Sequence, residues 1–247
     1  MFIDLENVAI GVRDAKLQNF DIGKVFARLV EKGKIAVRKA YADWSVFSQY
    51  KRAFHEHSVE LIDIPRKQIG GKNSADIKMV VDALELSFTK THLDYIVLVS
   101  GDSDFSPLVS KLRENNRHTI GVGIKNSTSN LLVENCDEFI FYDDLVRKRR
   151  SRKTKRAEKT IPKKKAEAFE LLIDSVLALQ RENKEIMWGS MVKQTMKRKQ
   201  PAFSEEYHGY STFSKLLEDA VKHKILELHR DARSGTYVID DLLLEEL

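Results

Sequence analysis

Tyr95-Ile96-Val97-Leu98-Val99-Ser100-Gly101-Asp102-Ser103-Asp104-Phe105-Ser106-Pro107 is the stretch whose reading decides the fold. Its apolar, β-branched start is too short for a helix and suits a strand buried on both faces. Gly101 permits a sharp exit, two carboxylates follow, and Ser106-Pro107 is a helix-start pair. Working outward, strand-like runs recur at 2–5, 35–41, 59–64, 95–100, 119–124 and 138–142. Helical spacing falls between them, as in Ile22, Val25, Phe26, Leu29 and Val30, and again over 73–87, 107–115 and 128–135. Strands alternating with helices predict an α/β fold with a parallel sheet covered on both faces. In such a sheet, ligands bind beyond the carboxyl ends of the strands.

Acids fall at that edge. Asp4 ends the first strand, Asp102 and Asp104 follow the strongest one, and Asp76 sits in the first turn of a helix. At about 100° per residue, Asp76 shares a direction with Val80, Ala83 and Ser87, the stripe expected to face the sheet. Asp82 points about 120° away on the same arithmetic, toward solvent. Each acid has a plainer reading alone: Asp104 as a helix cap, Asp76 as a first-turn acid favoured by the helix dipole, Asp4 as a turn residue. Together at one edge they would repel one another, and hard carboxylate oxygens select Mg²⁺ or Mn²⁺ over zinc. An ion held by such acids can assist hydrolysis of a phosphodiester.

Other residues near that edge are ambiguous. Thr128, Ser129 and Asn130 open a predicted helix and would either cap it or hold a phosphate. Tyr41 and Trp44 follow the second strand, where packing is the commoner role and base stacking the alternative. His55 and His57 read as surface residues of a helix. No Ser-His-Asp or Cys-His arrangement is evident.

The 247 residues suit one large domain or two smaller ones. The one cysteine, Cys136, excludes an intrachain disulfide and a multi-thiolate zinc site. No run approaches a membrane span and the start carries no signal-peptide pattern, so a reducing, cytoplasmic setting without a membrane partner is expected. The formal net charge of +5 is unevenly placed, for residues 147–165 hold twelve basic residues and a single acid, Glu158. That segment carries +11, which leaves −6 elsewhere, −2 in residues 1–146 and −4 in residues 166–247. It reads as a flexible linker available to a polyanion, with Arg147, Lys148, Arg149 and Arg150 as its first RNA-binding candidates.

Residues 166–247 begin afresh with Phe169, Leu172, Val176 and Leu179 on one helical face. Further helices over 189–197 and 210–222, then strands at 225–228 and 236–239, read as a small winged-helix domain. Basic surface candidates are Lys193, Lys197, Arg198 and Lys199 on its second helix, with Arg230 and Arg233 on the wing. A module at −4 is a poor duplex-DNA reader, which makes a DNA-binding regulator the weakest interpretation.

Ile3-Asp4-Leu5-Glu6-Asn7, Lys72-Asn73-Ser74-Ala75-Asp76 with Asp82, and Ser100-Gly101-Asp102-Ser103-Asp104-Phe105 together resemble the motifs of NYN domains, part of the PIN-like nuclease superfamily. Gly121-Val122-Gly123, Ser127 to Leu131 and Cys136-Asp137-Glu138-Phe139-Ile140 also fit its bacterial branch. The resemblance covers residues 1–146 and implies a Rossmann-like sheet and a Mg²⁺- or Mn²⁺-dependent endoribonuclease. On the matching positions it implies Asp4, Asp76 and Asp102 as metal ligands, Asp104 as a further ligand or water-positioning acid, and Asn7 and Ser100 as residues orienting ligands or a phosphate.

From Ala166 onward, Phe169-Glu170-Leu171-Leu172, Trp188-Gly189-Ser190-Met191-Val192, Gly209-Tyr210 and Phe213-Ser214-Lys215-Leu216-Leu217 resemble a LOTUS (OST-HTH) domain. That resemblance implies binding of RNA, single-stranded or structured, or docking of a protein partner; a homo-oligomer is also compatible. The expected organisation is therefore 1–146 nuclease domain, 147–165 linker and 166–247 LOTUS domain. The rival expectation is a catalytically silent RNA-binding or scaffold protein.

Overall fold

In the computed structural model, which describes residues 1–65, 74–146, 161–182, 184 and 186–243, the run at 95–99 lies centrally in a six-stranded parallel sheet. The chain divides into two compact units, 1–28 with 35–148 and 29–34 with 149–247, as far as these residues are described. The first runs β1 (Phe2–Asp4), α1 (Leu5–Asp14), α2 (Ile22–Val30), β2 (Lys39–Ala42), α3 (Lys51–Glu56), β3 (Glu60–Asp63) and α4 (Ser74–Thr89). It continues with β4 (Tyr95–Val99), α5 (Ser106–Glu114), β5 (His118–Gly123), α6 (Asn130–Asn135), β6 (Glu138–Phe141) and α7 (Tyr142–Val146). Strand order is β3-β2-β1-β4-β5-β6. The chain winds outward from β1 to β3, then returns to place β4 on β1's other side. The winding direction therefore reverses between β1 and β4, the place where open α/β sheets bind their ligands. Register fixes what meets there: Ile3 pairs with Val99, so Asp4 and Ser100 leave their strands side by side.

Local sequence explains these elements. Asp4 caps α1, accepting from the Asn7 amide (3.2 Å), and Leu5, Val8 and Val12 bury one stripe of that helix. Pro107 sits in the first turn of α5, where its missing N–H has no partner to lose. Met79 and Ala83 of α4, Leu108, Val109 and Leu112 of α5 and Leu132 of α6 pack with Phe2, Ile96 and Leu98 in one core cluster. Fully burying one such aliphatic side chain contributes about 1.5–3 kcal/mol. A second set of buried side chains includes Phe20, Ile22, Val25 and Phe54, with the Phe20 ring 5.0 Å from that of Tyr142.

The α/β class and the parallel sheet are as the alternation predicts, and differences lie at element ends. The second strand covers Lys39–Ala42 rather than 35–41, because its neighbours offer ladder partners only from Phe2 and Glu60 onward. The helix expected over 128–135 starts at Asn130. Thr128 instead closes a separate turn, its amide (3.0 Å) and hydroxyl (2.7 Å) both donating to the Ile124 carbonyl. Asp82 corrects the helical arithmetic. It is 3% exposed and accepts from Tyr41 Oη (2.7 Å), Lys78 Nζ (2.7 Å) and Lys39 Nζ (3.2 Å). The inward face of α4 is centred on Met79, Asp82, Ala83 and Ser87, and β2 supplies the partners that make a buried carboxylate tolerable there.

The second unit runs α8 (Lys163–Arg181), β7 (Met187–Trp188), α9 (Gly189–Lys199), α10 (Phe213–Lys222), β8 (Leu226–Arg230) and β9 (Tyr237–Leu242). Its strands form an antiparallel sheet in the order β7-β9-β8. Phe169, Leu172, Val176 and Leu179 of α8 join Val192, Met196, Leu216, Leu217, Leu226 and Ile239 in its core. α10 begins at Phe213 rather than at residue 210, because Thr212 caps it and Tyr210 turns inward, its hydroxyl donating to Asp219 (2.8 Å). β7 has only two residues, too few to leave a pattern in the sequence. No helix among the described residues is long and apolar enough to cross a membrane.

Candidate active site

Two loops leaving the central strands build the site. Asp4 Oδ2 accepts from the Ser100 hydroxyl at 3.0 Å, while Asp4 Oδ1 takes the Asn7 amide. Asn7 Oδ1 in turn accepts from the Gly101 amide at 2.8 Å. Ser100 Oγ accepts from the Asp102 amide at 3.2 Å, and Asp102 Oδ1 accepts from the Asp104 amide at 3.0 Å, capping a 3-10 turn over Ser103–Phe105. Asp4 and Asp102 are thereby aimed by neutral donors. Asp76 and Asp104 line a cleft beside them, and Asp104 is exposed at its mouth.

Gly101 has a specific reason to be glycine. A Cβ there would lie 2.9 Å from the Ser127 carbonyl oxygen and 3.0 Å from the Thr128 Cα, closer than backbone tolerates. The loop after β5 thus lies directly against the loop after β4, fastened by the Ser129 amide on the Gly101 carbonyl (2.9 Å). Ser129 is the N-cap of α6 and makes no side-chain capping bond.

Electrostatics marks the acids as a group. Burial pushes the Asp4 carboxyl up to about 6, with Asp76 and Asp102 adding repulsion and the Asn7 and Ser100 donors opposing. Asp76 is raised too, by its own partial burial and then by Asp102 and Asp104. The charges that most perturb these two groups are other acids. The other buried carboxylate of this unit, Asp82, behaves oppositely. Burial alone would raise it, but the Lys78, Tyr41 and Lys39 donors overcome that and hold it below the usual carboxylate range.

The donor chemistry fits a hard dication: oxygen ligands only, mutually repelling, with no competing thiolate or imidazole. Among the described residues, however, no three His, Cys, Asp or Glu side chains lie together as ligands of one ion. Mg²⁺ binds through one or two carboxylates with water in its remaining positions, so a looser set of acids is compatible with it.

Other candidates fall elsewhere. Tyr41 and Trp44 are buried; the Trp44 indole donates to the Ile62 carbonyl (3.0 Å) and meets Phe54 edge-on, so both rings pack rather than present a face to a base. His55 is exposed on α3, and His57 follows that helix, stacked on Phe26 at 5.2 Å. Cys136 is a buried free thiol, pushed up to about 11 by burial. In the second unit Lys197 is exposed at the end of α9. Arg198 donates to Thr195 Oγ1 (2.9 Å), Lys199 pairs with Asp174 (2.7 Å) and Lys193 with Glu205 (2.7 Å). Arg147, Lys148, Arg149 and Arg150 lie outside the described residues, as do Lys72 and Asn73.

Sequence reasoning passed over the residues flanking the acids on one side. Ile77, Val81 and Leu131 are exposed by 62%, 51% and 54% and line a cleft of about 730 Å³ with Asp76 and Asp104. The available signal was the i, i+4 pair Ile77 and Val81, apolar yet off the core stripe of their helix.

Residues 1–143 match the model of the NYN domain, a branch of the PIN-like nuclease superfamily. An uncharacterized protein of Methanocaldococcus jannaschii is 29% identical over 122 residues, 49% of this chain and 48% of that protein. The chain therefore spans about half the length of the curated relative it matches. A crystal structure of a protein of unknown function from Vibrio parahaemolyticus is similar with a TM-score of 0.52 and 26% identity. That match covers 58% of this chain and 91% of the other.

Proposed function

Since this chain belongs to the NYN domain family, we propose that it is a metal-dependent endoribonuclease that hydrolyses RNA phosphodiesters at the Asp4, Asp76, Asp102 and Asp104 edge. The observation that carries this reading is the gathering of mutually repelling carboxylates at the carboxyl edge of the central strands. The fold brings three chain segments there; Asp4 is held above its ordinary range by burial and by Asp76 and Asp102, and Asp76 by burial and by Asp102 and Asp104. Mg²⁺ or Mn²⁺ held by Asp4, Asp76 and Asp102 would supply charge neutralisation at the phosphate and an activated water.

The chain's own groups have distinct tasks in this reading. Ser100 is a positioning residue: its single hydroxyl fixes Asp4 and the Asp102 loop at once. Asn7 commits its carbonyl oxygen to Gly101, which leaves its amide nitrogen to donate to a phosphate oxygen. Asp104, exposed at the mouth, orients the attacking water or joins the ligand set. The basic run beginning at Arg147 supplies affinity for RNA. The second unit's order of helix, strand, two helices and hairpin supports a winged-helix, LOTUS-type module that retains RNA or a protein partner.

The test is cleavage of RNA with Mn²⁺ or Mg²⁺ by the full chain and by Asp102→Asn. Loss of about 10²-fold or more in the variant is expected, the scale on which precisely placed charged groups act. Equal cleavage by both, or none by folded wild type with either metal, would refute the reading. A second reading, a catalytically silent RNA-binding or scaffold protein, is favoured by one observation: no three potential ligands lie together among the described residues. It requires metal-independent RNA affinity that collapses when residues 147–165 are neutralised, without cleavage.

A further inference from the structure

The cleft beside Asp76 and Asp104 has two features that the acid chemistry does not use. Its walls expose Ile77 and Val81 from α4 and Leu131 from α6, so the side chains next to a charged centre are apolar and open. It is also lined by Ser103, Ser106 and Ser110, so small polar residues lie beside the apolar ones. A volume of about 730 Å³ falls among those of small-molecule sites.

Charge narrows the occupant. With Asp76 and Asp104 on its rim, the cleft repels anions, so a phosphate would not settle against its apolar wall. A flat, uncharged heterocycle would: its faces suit the aliphatic wall of Ile77, Val81 and Leu131, and its edge carries donors and acceptors that suit a rim of serines and carboxylates. We propose that this cleft is a nucleobase subsite, taking the base of a nucleotide that flanks the phosphate held at the acid cluster. The assignment rests on the ribonuclease reading, because the occupant is chosen by continuity with that phosphate. It makes cleavage sensitive to one neighbouring base while the chemistry stays at the acids.

The test scans a short oligoribonucleotide with a single abasic residue at each position in turn, using the full chain and Mn²⁺. One flanking position is expected to lower kcat/KM about ten-fold, the scale of losing one base contact. Val81→Ser and Leu131→Ser, both at exposed positions, should reproduce that loss on the intact substrate and add little on the abasic one. A flat scan with cleavage intact, or variant losses equal on both substrates, overturns the subsite but leaves the nuclease reading standing. A photo-crosslinking arm needs no cleavage: 4-thiouridine at successive positions is irradiated on the full chain and adducts are mapped. Adducts on residues 74–89 or 130–135 from one position support the subsite even if no metal elicits cleavage, an outcome that refutes the nuclease reading alone. Adducts confined to other segments, or none, overturn it.

Discussion

Asp4→Asn should make the protein more stable at neutral pH while removing its capacity for a dication. Asp4 is 7% exposed and its carboxyl is raised from 3.8 to about 6. A carboxyl whose folded value lies above its unfolded value favours the protonated form in the fold. Its contribution is fully present below about 3.8, declines as pH rises toward 6, and is gone above it. A displacement of about two units corresponds to roughly 3 kcal/mol at about 1.4 kcal/mol per unit, an upper bound for ionised Asp4 at pH 7.5. Asparagine keeps the shape and the capping role: its Oδ1 accepts from the Asn7 amide, and its Nδ2 faces the Ser100 oxygen after that hydroxyl rotates. The expected gain is therefore about 1–3 kcal/mol, or about 2–10 °C in Tm for a unit of this size. The assay is urea and thermal unfolding of wild type and variant in EDTA from pH 4 to 8. The gap should open with rising pH and close near pH 4, and Mn²⁺ should raise the Tm of wild type more than that of the variant. A variant less stable than wild type at pH 7.5, or a gap independent of pH, would refute the electrostatic account of this site.

Asp82 should respond with the opposite sign. Its folded value is depressed, so its contribution is present above about 3.8 and is lost as pH falls through the lower folded value; Asp82→Ala should cost roughly 3–5 kcal/mol in urea unfolding at pH 7, because Lys39, Lys78 and Tyr41 lose their shared acceptor. Gly101→Ala should cost about 1–3 kcal/mol by urea unfolding, through overpacking against the Ser127 and Thr128 backbone, and should abolish any dication-dependent Tm increase. Ser100→Ala, which removes one donor to Asp4 and the acceptor of the Asp102 amide, should lower RNA cleavage about 10–100-fold while circular dichroism stays that of wild type.

Much of the first unit was legible because each strand is a short β-branched run bounded by polar turns, and sheet burial demands such runs. The acids were legible for a related reason: Asp4 ends β1, and Asp102 and Asp104 lie in the loop that leaves β4, so sequence order alone assigns them to the carboxyl edge. Direction around a helix was not. Placing Asp82 in solvent assumed that the apolar residues of α4 define its inward centre, and nothing local announces that Lys39 and Tyr41, some forty residues earlier, wait to receive it. The cleft escaped for a similar reason, since Leu131 meets the α4 wall only through tertiary structure. Termini of elements moved where a partner strand ran out, as at residues 35–38, or where a hydroxyl closed its own turn, as at Thr128.

The adjacency of β1 and β4 has a consequence for biosynthesis. Asp4 and Ser100 touch although they stand 96 positions apart in the chain, so no early fragment leaving the ribosome can assemble the acidic edge. That edge forms only once the fourth strand has emerged and paired with the first, a slow, non-local closure. The acids then come together in one step, with sheet completion as its timer.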